Sequence, residues 1–117
     1  MIRTLLVEDD EFMQRMISLR LRRLGHEVDS AVNGKEALDM AMMGSYDLIL
    51  MDMQMPVMDG YQASKSLRER GYKGQIVAVT ASAMREDSEK AIRSGCDSVI
   101  TKPVGVDFED QVKALMP

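Results

Sequence analysis

The sequence predicts a doubly wound α/β domain, a five-stranded parallel sheet with helices on both faces. Three observations carry that reading. Five short apolar runs alternate with five longer stretches of helical periodicity. Two of the runs, 48–51 and 76–79, are almost continuous Leu, Ile, Val, Met and Ala, as strands covered on both faces require. Strict strand–helix alternation then dictates right-handed crossovers and parallel pairing. A chain of 117 residues is long enough for one such domain with its own core.

Each element has a local reason. The run Ile2-Arg-Thr-Leu-Leu-Val7 gives a strand over 3–7, closed by an acidic knot, Glu8-Asp9-Asp10-Glu11. A helix over 12–24 follows, with Met13, Ile17, Leu21 and Leu24 on one face at helical spacing. Phe12, Met16 and Leu19 widen that face to about twice the ~100° arc of an ordinary amphipathic helix. The excess fits packing against both the sheet and a neighbouring helix; it also fits a docking face for a partner helix. A strand over 27–31 and a helix over 35–43 come next, with Asn33 as the N-cap. The strand over 48–51 ends at Asp52, and Asp59 caps a helix over 61–70. Strands over 76–79 and 98–101 lead to Thr80 and Lys102 and precede helices over 84–94 and 107–115. Gly25, Gly44, Gly71 and Gly95 sit just past helical stretches, where a left-handed cap is wanted. His26 is expected as an exposed turn residue and Cys96 as a small packing residue. The methionines around Asp52 (Met51, Met53, Met55 and Met58) fill irregular gaps.

Bulk properties narrow the function. Hydrophobic residues at 45% and charged ones at 29% are ordinary for a globular domain. A net charge of -4 with no basic patch argues against direct nucleic-acid contact. One cysteine excludes an internal disulfide and a Cys-based zinc cage. No apolar run approaches the roughly 18 residues of a membrane span, and no signal-peptide pattern opens the chain, so a cytoplasmic protein without a membrane partner is expected. Residues 1–117 read as a single domain with no output element.

The chemistry lies at the strand ends. In an open parallel sheet, ligands bind beyond the carboxyl ends of the strands, where strand order reverses. Glu8 and Asp9 leave the first strand, Asp52 the third, Thr80 the fourth and Lys102 the fifth. With the first strand between the second and third, those ends form one continuous rim. Crowded carboxylates repel, and a divalent cation or a retained proton relieves them.

The stretches Leu6-Val-Glu-Asp-Asp10, Met51-Asp-Met-Gln-Met-Pro-Val-Met-Asp-Gly60, Val79-Thr-Ala81 and Thr101-Lys-Pro103 together resemble the receiver domains of bacterial-type response regulators. Thr80-Ala-Ser-Ala-Met84 and Ala91-Ile-Arg-Ser-Gly-Cys-Asp97 are most similar to receivers of hybrid sensor kinases and phosphorelay proteins. The resemblance implies a flavodoxin-like strand order 2-1-3-4-5 with five helices. It implies Asp52 as the phosphoacceptor and Mg2+ as the cofactor, held by Asp9, Asp52, Glu8 through a water and the Gln54 backbone carbonyl. Lys102 would pair with a phosphoryl oxygen, Thr80 would donate its hydroxyl, and the small Ala81 would leave the approach open. The implied donor is a sensor histidine kinase or a histidine phosphotransfer protein, and the implied readout is a downstream effector or output domain. The domain would catalyse only its own phosphorylation and dephosphorylation.

Two positions depart from the family pattern. Val99 stands where an aromatic is common, so no ring can swing inward on the fifth strand, and Val104 replaces the usual Phe after Lys102-Pro103. The resemblance also implies a cis Lys102–Pro103 bond that aims the ammonium inward. The switch is therefore expected in the loop after Thr80 and the helix over 84–94. Rival chemistries fit less well. A haloacid-dehalogenase-type phosphatase wants a second Asp where Gln54 stands, and a flavin phosphate would be repelled by Glu8-Asp9-Asp10-Glu11. A P-loop motif is absent. The alternative that stays open is a receiver-shaped interaction module working without phosphorylation.

Overall fold

Side chains on a strand alternate between faces, so the apolar residues of a central strand must feed two separate cores. The computed structural model describes residues 1–102 and 105–115. In chain order it contains β1 (Arg3–Val7), α1 (Glu11–Arg23), β2 (Glu27–Ala31), α2 (Gly34–Met43), β3 (Leu48–Asp52), α3 (Gly60–Glu69), β4 (Gln75–Thr80), α4 (Arg85–Arg93), β5 (Ser98–Thr101) and α5 (Phe108–Leu115). Every pairing is parallel, in the order β2-β1-β3-β4-β5. The expected architecture and strand order are what the chain adopts. The Pro103 and Val104 expectations lie outside the described residues.

One core takes Leu5, Val7, Ile49, Met51, Ile76 and Ala78 from the sheet and packs them against α2, α3 and α4. The other takes the alternate residues Leu6, Leu48, Leu50, Val77 and Val79 and packs them against Ile17 and Leu21 of α1 and Phe108 and Val112 of α5. Full burial of each such side chain stabilises the fold by about 1.5–3 kcal/mol. A one-residue register slip would exchange the two cores, which pins the strand ends in place.

The starts of α1, α2 and α3 are fixed by side-chain caps. Asp10, Asn33 and Asp59 accept from the backbone N–H of Met13, Glu36 and Gln62, each at 2.9 Å. Gln62 returns a bond to the Asp59 N–H, completing a capping box. Gly25, Gly71 and Gly95 take the expected positive φ. Gly44 does not: its φ of -109° is extended backbone, and it still donates to Met40 O at 2.9 Å.

Two other expectations are corrected. His26 is buried rather than exposed, because its Nδ1 shares a 2.8 Å hydrogen bond with the Thr4 hydroxyl beneath the start of β1. Burial lowers its pKa, opposed by the charge of Asp47. The wide apolar face of α1 is split. Its centre joins the α5 core, whereas Phe12 and Leu19 point to solvent, Phe12 at 74% exposure. No helix among the described residues is long and apolar enough to cross a membrane.

Candidate functional site

Sheet register assembles the site. Val7 of β1 lies opposite Met51 of β3, so the next residues, Glu8 and Asp52, leave adjacent strands at the same level. Asp52 lies opposite Val79, and Thr80 opposite Thr101, so the residues after those pairs step across β4 to Lys102. The ladder extends past the strand ends. Glu8 N donates to Ala31 O at 3.0 Å, Met53 N to Val79 O at 3.1 Å, and Lys102 N to Thr80 O at 2.7 Å. The rim is therefore built on hydrogen-bonded backbone.

The structure brings Glu8, Asp9, Asp52 and Lys102 together. The Lys102 Nζ lies 3.0 Å from Glu8 Oε1 and 3.4 Å from Asp52 Oδ2. Glu8 and Asp52 are only 2% and 3% exposed, whereas Asp9 faces solvent. One carboxylate oxygen from each of the three acids lies within 4.8 Å of the others. The remaining oxygens are held by backbone: Asp10 N donates to Glu8 Oε2 at 3.2 Å, and Gln54 N to Asp52 Oδ1 at 3.1 Å. Gln54 thus meets Asp52 through its backbone N–H. Thr80, also buried, accepts from Ser82 N at 3.1 Å, which leaves its own hydroxyl hydrogen free to point elsewhere. Ala81 is exposed.

One ammonium serves two buried carboxylates, Glu8 and Asp52, and the electrostatics follow. Burial raises the Asp52 pKa to about 7; the Gln54 N–H pulls it down, the Glu8 charge pushes it up and Lys102 pulls it down again. Burial alone would lower Lys102, but its bond to Glu8 and the fields of Asp52 and Glu8 outweigh that and raise it. The donor set is all oxygen, as a hard divalent cation prefers. Oxygens on a shell of radius about 2.1 Å lie about 3.0 Å apart when adjacent and about 4.2 Å when opposite, so small side-chain movements bring the three acids to one ion. The residues fit Mg2+.

Sequence reasoning missed one member of this site. Asp59-Gly60 reads as turn and cap chemistry, and Asp59 is indeed a cap. Gly60, however, is where α3 meets β3: a Cβ there would lie 2.4 Å from the Asp52 carbonyl oxygen and 2.8 Å from Met53 Cα. Its N–H donates to Met53 O at 3.3 Å. The Asp-Gly pair at a helix start was the available signal, and turn chemistry explained it equally well. The loop before it carries a further constraint, since Val57 adopts a φ of 72°.

The same end of the sheet carries exposed apolar side chains. Phe12 at the start of α1, Val32 after β2, Val57 after β3, Met84 after β4 and Val106 before α5 are all exposed. Among the described residues, each strand-to-helix junction thus carries one in its loop or in the first turn of the helix that follows.

Residues 4–115 match the family model of the response regulator receiver domain. A two-component response regulator of Arabidopsis thaliana is 43% identical over 105 residues, covering 88% of this chain and 76% of that protein. The sensor histidine kinase RcsC of Salmonella typhimurium is 34% identical over 111 residues, covering 95% of this chain but only 12% of the kinase. Among solved structures, the receiver domain of the Pseudomonas aeruginosa sensor histidine kinase PA1611, with a magnesium ion in its active-site cleft, superposes with a TM-score of 0.85 at 35% identity, covering 95% of this chain and 93% of that one. The receiver domain of Saccharomyces cerevisiae Ssk1, in complex with the histidine phosphotransfer protein Ypd1, gives 0.86 at 34% identity, covering 95% and 85%.

Proposed function

The chain belongs to the response regulator receiver domain family of two-component and phosphorelay signalling, and from that premise we propose that Asp52 accepts a phosphoryl group from a phosphohistidine. The donor is a sensor histidine kinase or a histidine phosphotransfer protein. The observation that carries this reading is a buried carboxylate ringed by Glu8, Asp9 and Lys102, with its second oxygen held by the Gln54 N–H.

Phosphoryl transfer asks a protein for positioning and charge neutralisation. The Asp52 oxygen attacks phosphorus, the P–N bond to the donor imidazole breaks, and an acyl phosphate forms. The Gln54 N–H orients the carboxylate for attack. Lys102, already beside Asp52, turns to a phosphoryl oxygen, and Glu8 at 3.0 Å keeps the ammonium at the rim during that exchange. Thr80 donates the hydroxyl hydrogen that Ser82 leaves free. Glu8, Asp9, Asp52 and the Gln54 carbonyl would hold Mg2+, which when bound supplies positive charge to the phosphoryl oxygens. The exposed Ala81 leaves the approach open.

A protein donor suits the surroundings. The apolar tips at Phe12, Val32, Val57, Met84 and Val106 offer contact area around a charged centre. The Ypd1 complex of a relative supports a phosphotransfer protein as one such donor. The product adds about -1.5 to -2 of charge at Asp52, and its different contacts with Thr80 and Lys102 in two loop positions shift partner affinity.

Incubation with magnesium and acetyl phosphate, followed by intact-mass measurement, tests the reading. One added phosphoryl group, lost in Asp52→Ala, is the expected result. No adduct with any donor would leave a receiver-shaped interaction module instead.

A further inference from the structure

The bonds that hold Thr80 continue beyond the site. Ser82 N donates to Thr80 Oγ1 at 3.1 Å, and Met84 N donates to Ser82 Oγ at 3.2 Å. The Ser82 hydroxyl in turn donates to Asp87 Oδ2 at 2.5 Å, the short end of charge-assisted hydroxyl–carboxylate bonds. Asp87 sits in the first turn of α4, whose N-cap, Met84, has no side chain able to cap it. Ser82 and Asp87 therefore tie the turn after Thr80 to the first turn of α4. They also join the Thr80 hydroxyl to a helix anchored independently, by the buried Ala91 and by Lys90 lying 4.1 Å from the Tyr61 ring centroid.

We propose that Asp87 is a positioning residue for Thr80: through Ser82 it latches the 80–84 turn in its resting form and sets the fraction of molecules able to close on a phosphoryl group. The inference rests on Asp52 being the acceptor. Its physical basis is a conflict of bonds. A Thr80 hydroxyl that reaches over the rim toward a group on Asp52 must draw the 81–82 peptide with it or leave the Ser82 N–H unpaired. A 2.5 Å bond to a fixed helix has no slack to follow that movement, so Ser82–Asp87 favours the resting turn. Breaking it raises the resting state in free energy, and the apparent affinity for anything that binds the closed state rises with the competent fraction.

The test titrates Mg2+ and beryllofluoride into the full chain and follows amide NMR shifts. Asp87→Ala should bind beryllofluoride at least about five-fold more tightly than wild type. Asp87→Asn, whose amide oxygen can still accept from Ser82, should stay within about two-fold of wild type. Glu86→Ala is the control for helix stability: Glu86 is the other acid of that turn, is exposed, and should leave the affinity unchanged. Should Asp87→Ala fail to fold, Ser82→Ala, which removes the hydroxyl donor, must show the same tightening. Unchanged or weaker binding in the folded variant overturns the latch, as does equal tightening in Glu86→Ala. Wild-type protein that binds no beryllofluoride, or binds it equally as Asp52→Ala, overturns the acceptor reading itself and the latch with it.

Discussion

Replacing Asp52 by Asn should make the metal-free protein more stable at pH 8, although it removes the proposed acceptor. Asp52 is almost fully buried, and its carboxyl is pushed up from 3.8 to about 7, by burial above all and further by Glu8, against the pull of the Gln54 N–H and Lys102. A raised folded-state pKa means that the protonated form is the one the fold tolerates. The stability associated with that proton is fully present below about pH 4 and is lost as pH rises through about 7. A shift of about three units corresponds to an ionisation penalty on the order of 4 kcal/mol above that window. Asn keeps the shape and can still accept from Gln54 N. It gives up the 3.4 Å pairing with Lys102, but Lys102 retains Glu8 at 3.0 Å. The pull of Lys102 is already contained in the raised value, and allowing about 1–2 kcal/mol for imperfect accommodation of the Asn amide leaves a net gain of about 2–3 kcal/mol at pH 8.

Urea unfolding followed by far-UV circular dichroism, with EDTA present, measures this directly; the sequence has no tryptophan to report by fluorescence. With a slope of about 1–3 kcal/mol per molar urea, the midpoint should rise by about 1 M at pH 8. Most of the increment should vanish by pH 4.5. Equal or lower stability of Asp52→Asn at pH 8, or an increment independent of pH, would refute the claim that ionised Asp52 is strained in the empty site.

Three further outcomes follow from other contacts. Gly60→Ala should destabilise the fold by about 2 kcal/mol or more, since its Cβ meets backbone that cannot rotate away; slower uptake of phosphate from acetyl phosphate should accompany the lower urea midpoint. Lys102→Met leaves buried Glu8 and Asp52 facing each other without their cation, so it should cost about 3 kcal/mol at pH 8 and less at pH 5, and give no adduct by intact mass. Because burial lowers the His26 pKa, the neutral ring contributes stability that is present above about 6.5 and lost as pH falls through its folded value; His26→Gln should remove that part of the pH dependence between pH 7 and 5.

The legible parts of this chain are those governed by period and spacing. Strand ends were readable because continuous apolar runs stop abruptly at Asp52 and Thr80, and both proved to be the last residues of their strands. Glu8, Asp9 and Lys102 were readable because parallel register carries equivalent ends to one level. What escaped depends on contacts between residues far apart in sequence. His26 follows a turn glycine and reads as exposed; only the β1–β2 pairing brings it under Thr4. The Gly60 requirement comes from the angle at which α3 meets β3, which no local pattern encodes. Gly44 has the position of a left-handed cap, yet its chain leaves the helix extended with the Tyr46 ring 2.9 Å from where a Cβ would stand. Phe12 and Leu19 widen an apolar stripe that the α1 core does not need, and the pattern alone could not tell surplus from packing.

The strain at Asp52 and the chemistry proposed for it have one origin. A fold seeking only stability would place apolar residues at the ends of β1 and β3, where the backbone is fixed and water is excluded. Glu8 and Asp52 occupy those places at an electrostatic cost that a single ammonium cannot offset. Low exposure makes the same charges effective: field lines from Lys102 reach an oxygen on Asp52 with little screening. On the proposed reading, a divalent cation would relieve the repulsion, and a phosphoryl group would then take the place of the carboxylate beside Lys102 and draw the Thr80 hydroxyl toward it. Each addition would resolve a conflict left by the one before, so the empty, loaded and phosphorylated sites would favour different arrangements of one loop. With Val99 offering no ring to move on β5, the proposed route for that difference is the turn from Thr80 to Asp87.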